Sequence, residues 1–420
     1  MLVGKGVESG QLSAQDVYDL SEQAFAQIEL RKKKVLVLIP DYTRHAPVNL
    51  FFRVLVDLIG KQVKALDFLV ASGTHQPMSL DSILEHVGLT PQEYERKYSR
   101  FRFFAHAHDD PRQLRVAGTI PGEEVELISD GLFSEDLTVT VNKRLYDYDL
   151  VIVVGPVVPH EAAGFAGGNK YFFPGVAGEE IINTFHWIAA VITNPVINGL
   201  KDNPVRQILN RGADLIDVEK LCFSFVVQEN GGLACLFIGS PQESWEQAVD
   251  YSARHHIQYL AKPFRRIIGI VPEIYKDIWL AGKAMYKTEP IVADGGELVI
   301  YAPHVTELSY SHGAAIREVG YHVRDYFVKQ WDRFADTPKL IMAHSTNVRG
   351  IGEYEDGVEL PRISVTLATG IPAEVCQQVN LGYMDPDGID FSQWLDRENE
   401  GILVVKNAGQ VLYRLKQDQV

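Results

Sequence analysis

Residues Ser13 to Glu29 space Val17, Leu20, Ala24 and Ile28 in steps of three and four, a pattern that predicts an amphipathic helix. Then the pattern changes. Val35 to Ile39, Ala65 to Ala71 and Leu150 to Val154 are apolar runs of strand length without polar alternation, as expected of strands covered on both faces. A helix-length segment, Leu50 to Gly60, separates the first two, so the order strand, helix, strand predicts a parallel βαβ unit. A second series begins near Phe264. Strands are expected at Ile267 to Val271, at Glu297 to Tyr301 after the turn Asp294 to Gly296, at Lys339 to Ala343 and at Ile363 to Leu367. Helices are expected at Lys276 to Lys287 and Ala314 to Gln330, and a closing hairpin at Ile402 to Leu415 around Asn407-Ala-Gly409. The expected class is therefore α/β: two packed Rossmann-like α/β domains with the active site in the cleft between them. The N-terminal domain spans 1–262 and the C-terminal domain 263–404, with residues from about 405 to 420 returning to the first.

Composition narrows the function classes. A length of 420 residues suits two or three domains that each bury a core, and 46% hydrophobic with 23% charged residues excludes a disordered or fibrous chain. Lys and Arg number 40 against 55 Asp and Glu, a net charge of -15 that repels phosphate backbones and anionic lipid. Neither nucleic acid nor a membrane is an expected partner. Cys222, Cys235 and Cys376 match neither a disulfide framework nor a zinc clip, which points to a reducing compartment. With no apolar region behind the N-terminus and no run of about 18 apolar residues, a cytoplasmic protein is expected.

Ligands of open parallel sheets bind beyond the carboxyl ends of the strands, so the segments after each apolar run are the informative ones. Pro40 to Arg44 follows the first and Ser72 to His75 the second. Gly155 to Glu161, leading into Gly164 to Lys170, follows the third. Arg44 can fork a carboxylate or phosphate, and His75 and His160 can act as general acid or base. Each also has an ordinary reading, as a capped turn or a hydrogen-bonded loop histidine; their coincidence at one rim raises them together. Gly164, Gly167, Gly168, Gly175 and Gly178 crowd one segment, yet a Walker loop is not completed. Asn169 stands where its last Gly belongs and Tyr171 where its Ser or Thr belongs. Exposed N–H groups of Gly167 and Gly168 would still suit a cofactor phosphate. On the next helix, Glu179 to Val191, His186 reads either as a core histidine or as a metal ligand whose other donors come from a cofactor. Lys283, one turn after Trp279, reads alone as a solvated lysine. The run His106-Ala-His108-Asp109-Asp110 reads as an exposed polar loop outside the site.

Taken together, Asp41-Tyr-Thr43-Arg44, Gly73-Thr-His75, the block Pro159 to Lys170, Pro174-Gly-Val-Ala177, His186 and Asp202-Asn-Pro-Val-Arg206 resemble the nickel-pincer nucleotide-dependent lactate racemase family. Its members interconvert stereoisomers of 2-hydroxy acids. The resemblance implies a racemase or epimerase, an isomerase, that passes through a 2-keto acid by reversible hydride transfer. It implies as cofactor a pyridinium-3-thioamide-5-thiocarboxylate mononucleotide, the nickel-pincer nucleotide, covalently on Lys170. His186 is then the protein's ligand to Ni, His75 and His160 the acid/base pair, and Arg44 and Lys283 the carboxylate clamp. Asp41, Thr43, Gly167 and Gly168 are carried over as cofactor-binding. Expected partners are a small-molecule 2-hydroxy acid and proteins for cofactor synthesis and nickel insertion, with a homo-oligomer left open. One departure stands out: Trp279-Leu280 replace a Tyr-Gln pair of the family's lactate enzymes, so the expected substrate is not lactate but a larger acid such as malate, an aromatic 2-hydroxy acid or a sugar acid. The competing readings are a nickel-free 2-hydroxy acid dehydrogenase, which lacks a GxGxxG here, and a non-catalytic carrier of cofactor or nickel.

Overall fold

A computed structural model describes residues 1–418. Two compact units emerge: residues 1–158, 165–182 and 201–255 form one, and residues 159–164, 183–200 and 256 onward the other. The first holds a seven-stranded sheet in the order Leu2–Gly6, Leu233–Gly239, Glu219–Val227, Leu150–Pro156, Lys34–Ile39, Ala65–Val70, Phe103–Ala105. The last five strands are mutually parallel, and the two at the other edge are antiparallel. The unalternating runs now have a cause, since Val35, Leu36, Val37 and Leu38 are buried completely. Each such side chain gains roughly 1.5–3 kcal/mol on burial.

Helices cover the sheet because their apolar positions fall on one stripe. The helix Ala14–Phe25 begins with a capping box in which the Asp16 amide donates to Ser13 Oγ and the Ser13 amide to Asp16 Oδ2. Val48–Ile59 buries Val48, Phe51, Phe52, Val54, Leu55 and Ile59. Its Phe51 stacks on Phe225 of the sheet at 4.7 Å between ring centres.

In the second unit a five-stranded, all-parallel sheet runs Gly382–Tyr383, Ser364–Thr369, Val292–Ala302, Phe264–Ile270, Ile402–Val405. The C-terminal strand Leu412–Leu415 pairs with Ile257–Leu260 of the same unit.

Four expected elements differ. Lys339 to Ala343 is no strand but the start of the helix Lys339–Arg349, whose residues Ile341 to Val348 are all buried; an apolar run buried all round carries no period to tell helix from strand. Ile402 to Leu415 is no hairpin, because its two strands pair in parallel with different partners. The turn signal was real, with Asn407 at φ 52° and Gly409 at φ 97°, but a turn does not choose the strand that follows. The expected helix Ala314 to Gln330 breaks at Gly320, φ 78°, into Gly313–Val319 and Arg324–Val328. The helix expected from Lys276 starts at Ile278 behind an Asp277 cap and divides at Gly282 into Ile278–Ala281 and Lys283–Thr288.

Candidate active site

Each sheet has one point where the strand order reverses. In the first unit the chain runs outward from Lys34–Ile39 to Ala65–Val70 and Phe103–Ala105, then returns to lay Leu150–Pro156 on the other side. Such a reversal opens a crevice at the carboxyl ends. Asp41, Thr43 and Arg44 follow one flanking strand and the glycine loop follows the other, while His75 follows the neighbouring strand. In the second unit the reversal lies between Phe264–Ile270 and Ile402–Val405. Lys283 follows the first of these, and Gly409, which follows the second, packs so closely that a Cβ there would meet Lys283 Cβ at 3.0 Å and Tyr275 Cε2 at 3.1 Å.

His75 and Asp41 form a dyad. His75 Nδ1 lies 2.6 Å from Asp41 Oδ2, and Asp41 Oδ1 accepts from the Thr43 amide at 3.0 Å and the Thr43 hydroxyl at 2.6 Å. Asp41 is buried, which opposes its charge; the hydrogen bond from His75, the nearby imidazole, Thr43 and Arg44 outweigh that and hold its carboxyl below the ordinary range. An anionic partner on Nδ1 fixes the tautomer in which Nε2 keeps its lone pair. Asp41 and Thr43, the two residues expected to bind cofactor, make these contacts with each other and with His75. A further bond, from the Gly73 amide to the Gly175 carbonyl at 3.0 Å, ties the histidine turn to the segment after Lys170.

Lys170 lies on the short helix Gly168–Tyr171, which Gly167 (φ 87°) and Gly168 (φ 58°) lead into, and it is 7% exposed. The glycines are required by protein packing. A Cβ on Gly167 would come within 2.7 Å of Val157 Cγ2, and one on Gly168 within 2.8 Å of the Pro241 carbonyl. Next along the chain, the Tyr171 ring fills the space left by Gly155, and its buried hydroxyl feels the charges of Arg44 and Asp41. The arginine turn and the glycine loop are therefore neighbours.

In the second unit one helix serves two candidates. Lys283 opens Lys283–Thr288, and its ammonium stands 5.1 Å from the Tyr275 ring centre. One turn on, the buried Lys287 donates to the Pro159 carbonyl, next to His160. His160 is buried, and its Nδ1 lies 3.1 Å from the Ala162 amide nitrogen and 3.4 Å from Glu161 Oε2. His186 is half-buried on Glu179–Ile192, edge-on to Phe185. Trp279, also half-buried, packs against the rings of His312 at 4.4 Å and His344 at 4.2 Å. The latter is clasped by the hydroxyls of Tyr286 and Tyr321, and its burial pushes its pKa down to about 3.

The family model described as the lactate racemase N-terminal domain matches residues 19–196. A crystal structure of a protein from Thermotoga maritima shares 32% identity and a TM-score of 0.86, covering 98% of this chain and 100% of that one. The lactate racemase apoprotein from Thermoanaerobacterium thermosaccharolyticum has a TM-score of 0.74 at 19% identity, covering 98% and 95%. In sequence, the lactate racemase of that organism is 25% identical over 290 residues, 67% of this chain and 62% of that protein. That of Lactiplantibacillus plantarum is 24% identical over 157 residues, 37% and 32%. This chain belongs to the lactate racemase family. The matches span less than two thirds of the length of these curated relatives.

Within the family frame, several residues that hold the site were not singled out from the sequence. Arg206 was visible only as the end of a motif; Trp245 carried no local signal. His106 was read as exposed and is completely buried, with its Nε2 2.8 Å from the Ala177 carbonyl and its Nδ1 3.1 Å from the Asn142 amide nitrogen. Its neighbours His108 and Asp109 gave it the look of a loop, while the chain folds it under the glycine segment. The three cysteines are buried and free, and among the described residues no helix is long and apolar enough to cross a membrane.

Proposed function

We propose that this protein is a racemase or epimerase of a 2-hydroxy acid that works with a nickel-pincer nucleotide joined to Lys170, with His186 as the protein's ligand to nickel. The observation that supports it most directly is the oriented His75, a base whose Nε2 is left to take a hydroxyl proton.

The donor set fits that cofactor. Among the described residues no three of His, Cys, Asp and Glu gather where they could hold a metal ion, so nickel at His186 needs a partner that brings its own donors. Lys170 is buried on a loop whose backbone is fixed, which suits a permanent covalent link. When bound, the cofactor supplies an acceptor and donor of hydride. The chain's own residues do the rest. Arg44 and Lys283 hold the carboxylate. His75 takes the hydroxyl proton at Nε2 as C2 becomes the planar carbonyl of a 2-keto acid, and His160, as the imidazolium, returns a proton to that oxygen when the opposite face is restored. Each imidazole is then a base in one direction and, once protonated, the acid in the other, as a reaction that runs both ways requires. The substrate we infer is not lactate, since Trp279, whose indole packs against two imidazoles, and Leu280 offer apolar surface where the family's lactate enzymes present a tyrosine and an amide.

The test is protein from a cofactor-competent host, measured for intact mass, nickel and loss of optical rotation across a panel of 2-hydroxy acids. An adduct of mononucleotide size at Lys170, about one nickel per chain and racemisation of at least one acid are expected. Failure to take up pure cofactor in vitro overturns the proposal. Oxidation of a hydroxy acid with a nicotinamide cofactor would establish a dehydrogenase, and an adduct without racemisation a carrier.

A further inference from the structure

The backbone that leads into Lys170 is held from outside its loop at almost every residue. The Phe165 carbonyl accepts from Arg206 Nη2, the Ala166 carbonyl from the Trp245 indole N–H at 2.9 Å, and the Gly167 carbonyl from Arg206 Nη1 at 3.4 Å. On the donor side, the Ala166 amide reaches the Val158 carbonyl at 2.7 Å. The Asn169 side-chain amide donates to Asn210 Oδ1 at 3.0 Å. Arg206 and Asn210 lie four residues apart on Pro204–Asp214, hence on one face of that helix.

Arg206 and Trp245 also seat each other, with the guanidinium 4.0 Å from the indole ring centre. Trp245 in turn closes the space over Gly168, where a Cβ would lie 2.9 Å from its own Cβ. Arg206 is only 3% exposed. Burying a charge is a costly way to fill space, and an apolar side chain would pack as well. What a guanidinium adds is a rigid planar fork that fixes two carbonyls at once, which a lysine cannot do.

We propose that Arg206 and Trp245 are positioning residues: together they set the peptide planes of residues 165–167 and so present Lys170 in one conformation to the group it carries. The inference rests on the reading that Lys170 is the attachment point, but its first two tests do not need the cofactor. Arg206→Lys and Trp245→Phe are compared with wild type by hydrogen exchange over residues 165–171, by acetylation of Lys170 against the buried Lys287 as internal control, and by adduct mass after loading with pure cofactor. Each variant should exchange about tenfold faster in that segment, the change one hydrogen bond accounts for. The ratio of Lys170 to Lys287 acetylation and the yield of adduct should change by a similar factor, with no rescue by Arg206→Lys. Wild-type exchange and acetylation in both folded variants would overturn the proposal. Should Arg206→Lys fail to fold, Trp245→Phe decides alone, because it removes only the N–H to Ala166 and keeps a ring under the guanidinium. If wild type takes no adduct while exchange and acetylation respond, the positioning role of Arg206 and Trp245 stands and the reading of Lys170 as attachment point falls.

Discussion

Replacing Asp41 with Asn separates two roles that lie on one carboxylate. Asn keeps the size and an acceptor for Thr43, but it removes the charge that His75 Nδ1 faces at 2.6 Å. Hydrogen bonds to a charged group contribute about 1.5–3 kcal/mol. At 1.36 kcal/mol per factor of ten, the loss of this one should lower kcat/KM by about 10- to 150-fold. The assay is racemisation by polarimetry on cofactor-loaded protein, with intact mass as the check on loading. A stability signature accompanies it. The folded carboxyl lies below its ordinary value of 3.8, so its contribution is fully present above that pH and is lost as pH falls through the lower, folded value. The stability gap between wild type and variant should therefore hold from pH 7 to 5, in round numbers, and close below about 4. Wild-type kcat/KM in Asp41→Asn would refute the orienting role. A loss of activity matched by an equal loss of adduct would return Asp41 to the cofactor.

Other outcomes follow from the same geometry. His75→Ala and His160→Ala should each lower racemisation by about 10²- to 10⁴-fold with the adduct mass intact; full activity in either removes it from the acid/base pair. Burial pushes the His106 pKa from 6.5 down to about 4, so falling pH protonates the unfolded chain first, and stability is lost between those two values by up to about 3 kcal/mol. Urea unfolding of His106→Gln should show a shallower pH slope in that window, and an unchanged slope refutes the assignment. Gly168→Ala, at φ 58° and facing Pro241 and Trp245, should destabilise by about 1–3 kcal/mol in thermal melts. Trp279→Gln should shift relative kcat/KM between apolar and polar 2-hydroxy acids by about tenfold or more; an unchanged ranking places the specificity elsewhere.

What could be read from the chain alone tracks how locally each feature is determined. Val35 to Ile39 and Leu150 to Val154 announce themselves because strands buried on both faces must be apolar throughout, and no partner need be known to see it. The same logic misleads at Lys339 to Ala343, where helix and strand buried all round look alike over five residues. It gives no guidance at Ile402 to Leu415, where the local turn is read correctly but the partners, Phe264–Ile270 and Ile257–Leu260, lie far back in the chain.

The candidate residues were legible for a topological reason and their roles were not, for an energetic one. A parallel sheet places the ends of its strands at one edge, so Arg44, His75 and the glycine loop could be assigned to one rim from their positions after apolar runs. Which of them acts and which holds another in place depends on hydrogen bonds across separations of 34 residues for Asp41 and His75, 41 for Phe165 and Arg206, and 79 for Ala166 and Trp245. No period or spacing encodes those pairings. The consequence reaches the motif itself. In Asp41-Tyr-Thr43-Arg44, Asp41 and Thr43 bond to each other and Asp41 to a histidine on another loop, while in the proposed function Arg44 binds the substrate carboxylate. On that proposal the motif holds one substrate-binding group and the support of a base, and substitutions within it should divide accordingly: Arg44→Lys should raise KM for the hydroxy acid, whereas Asp41→Asn should lower kcat. The opposite split would show that the two residues exchange those roles.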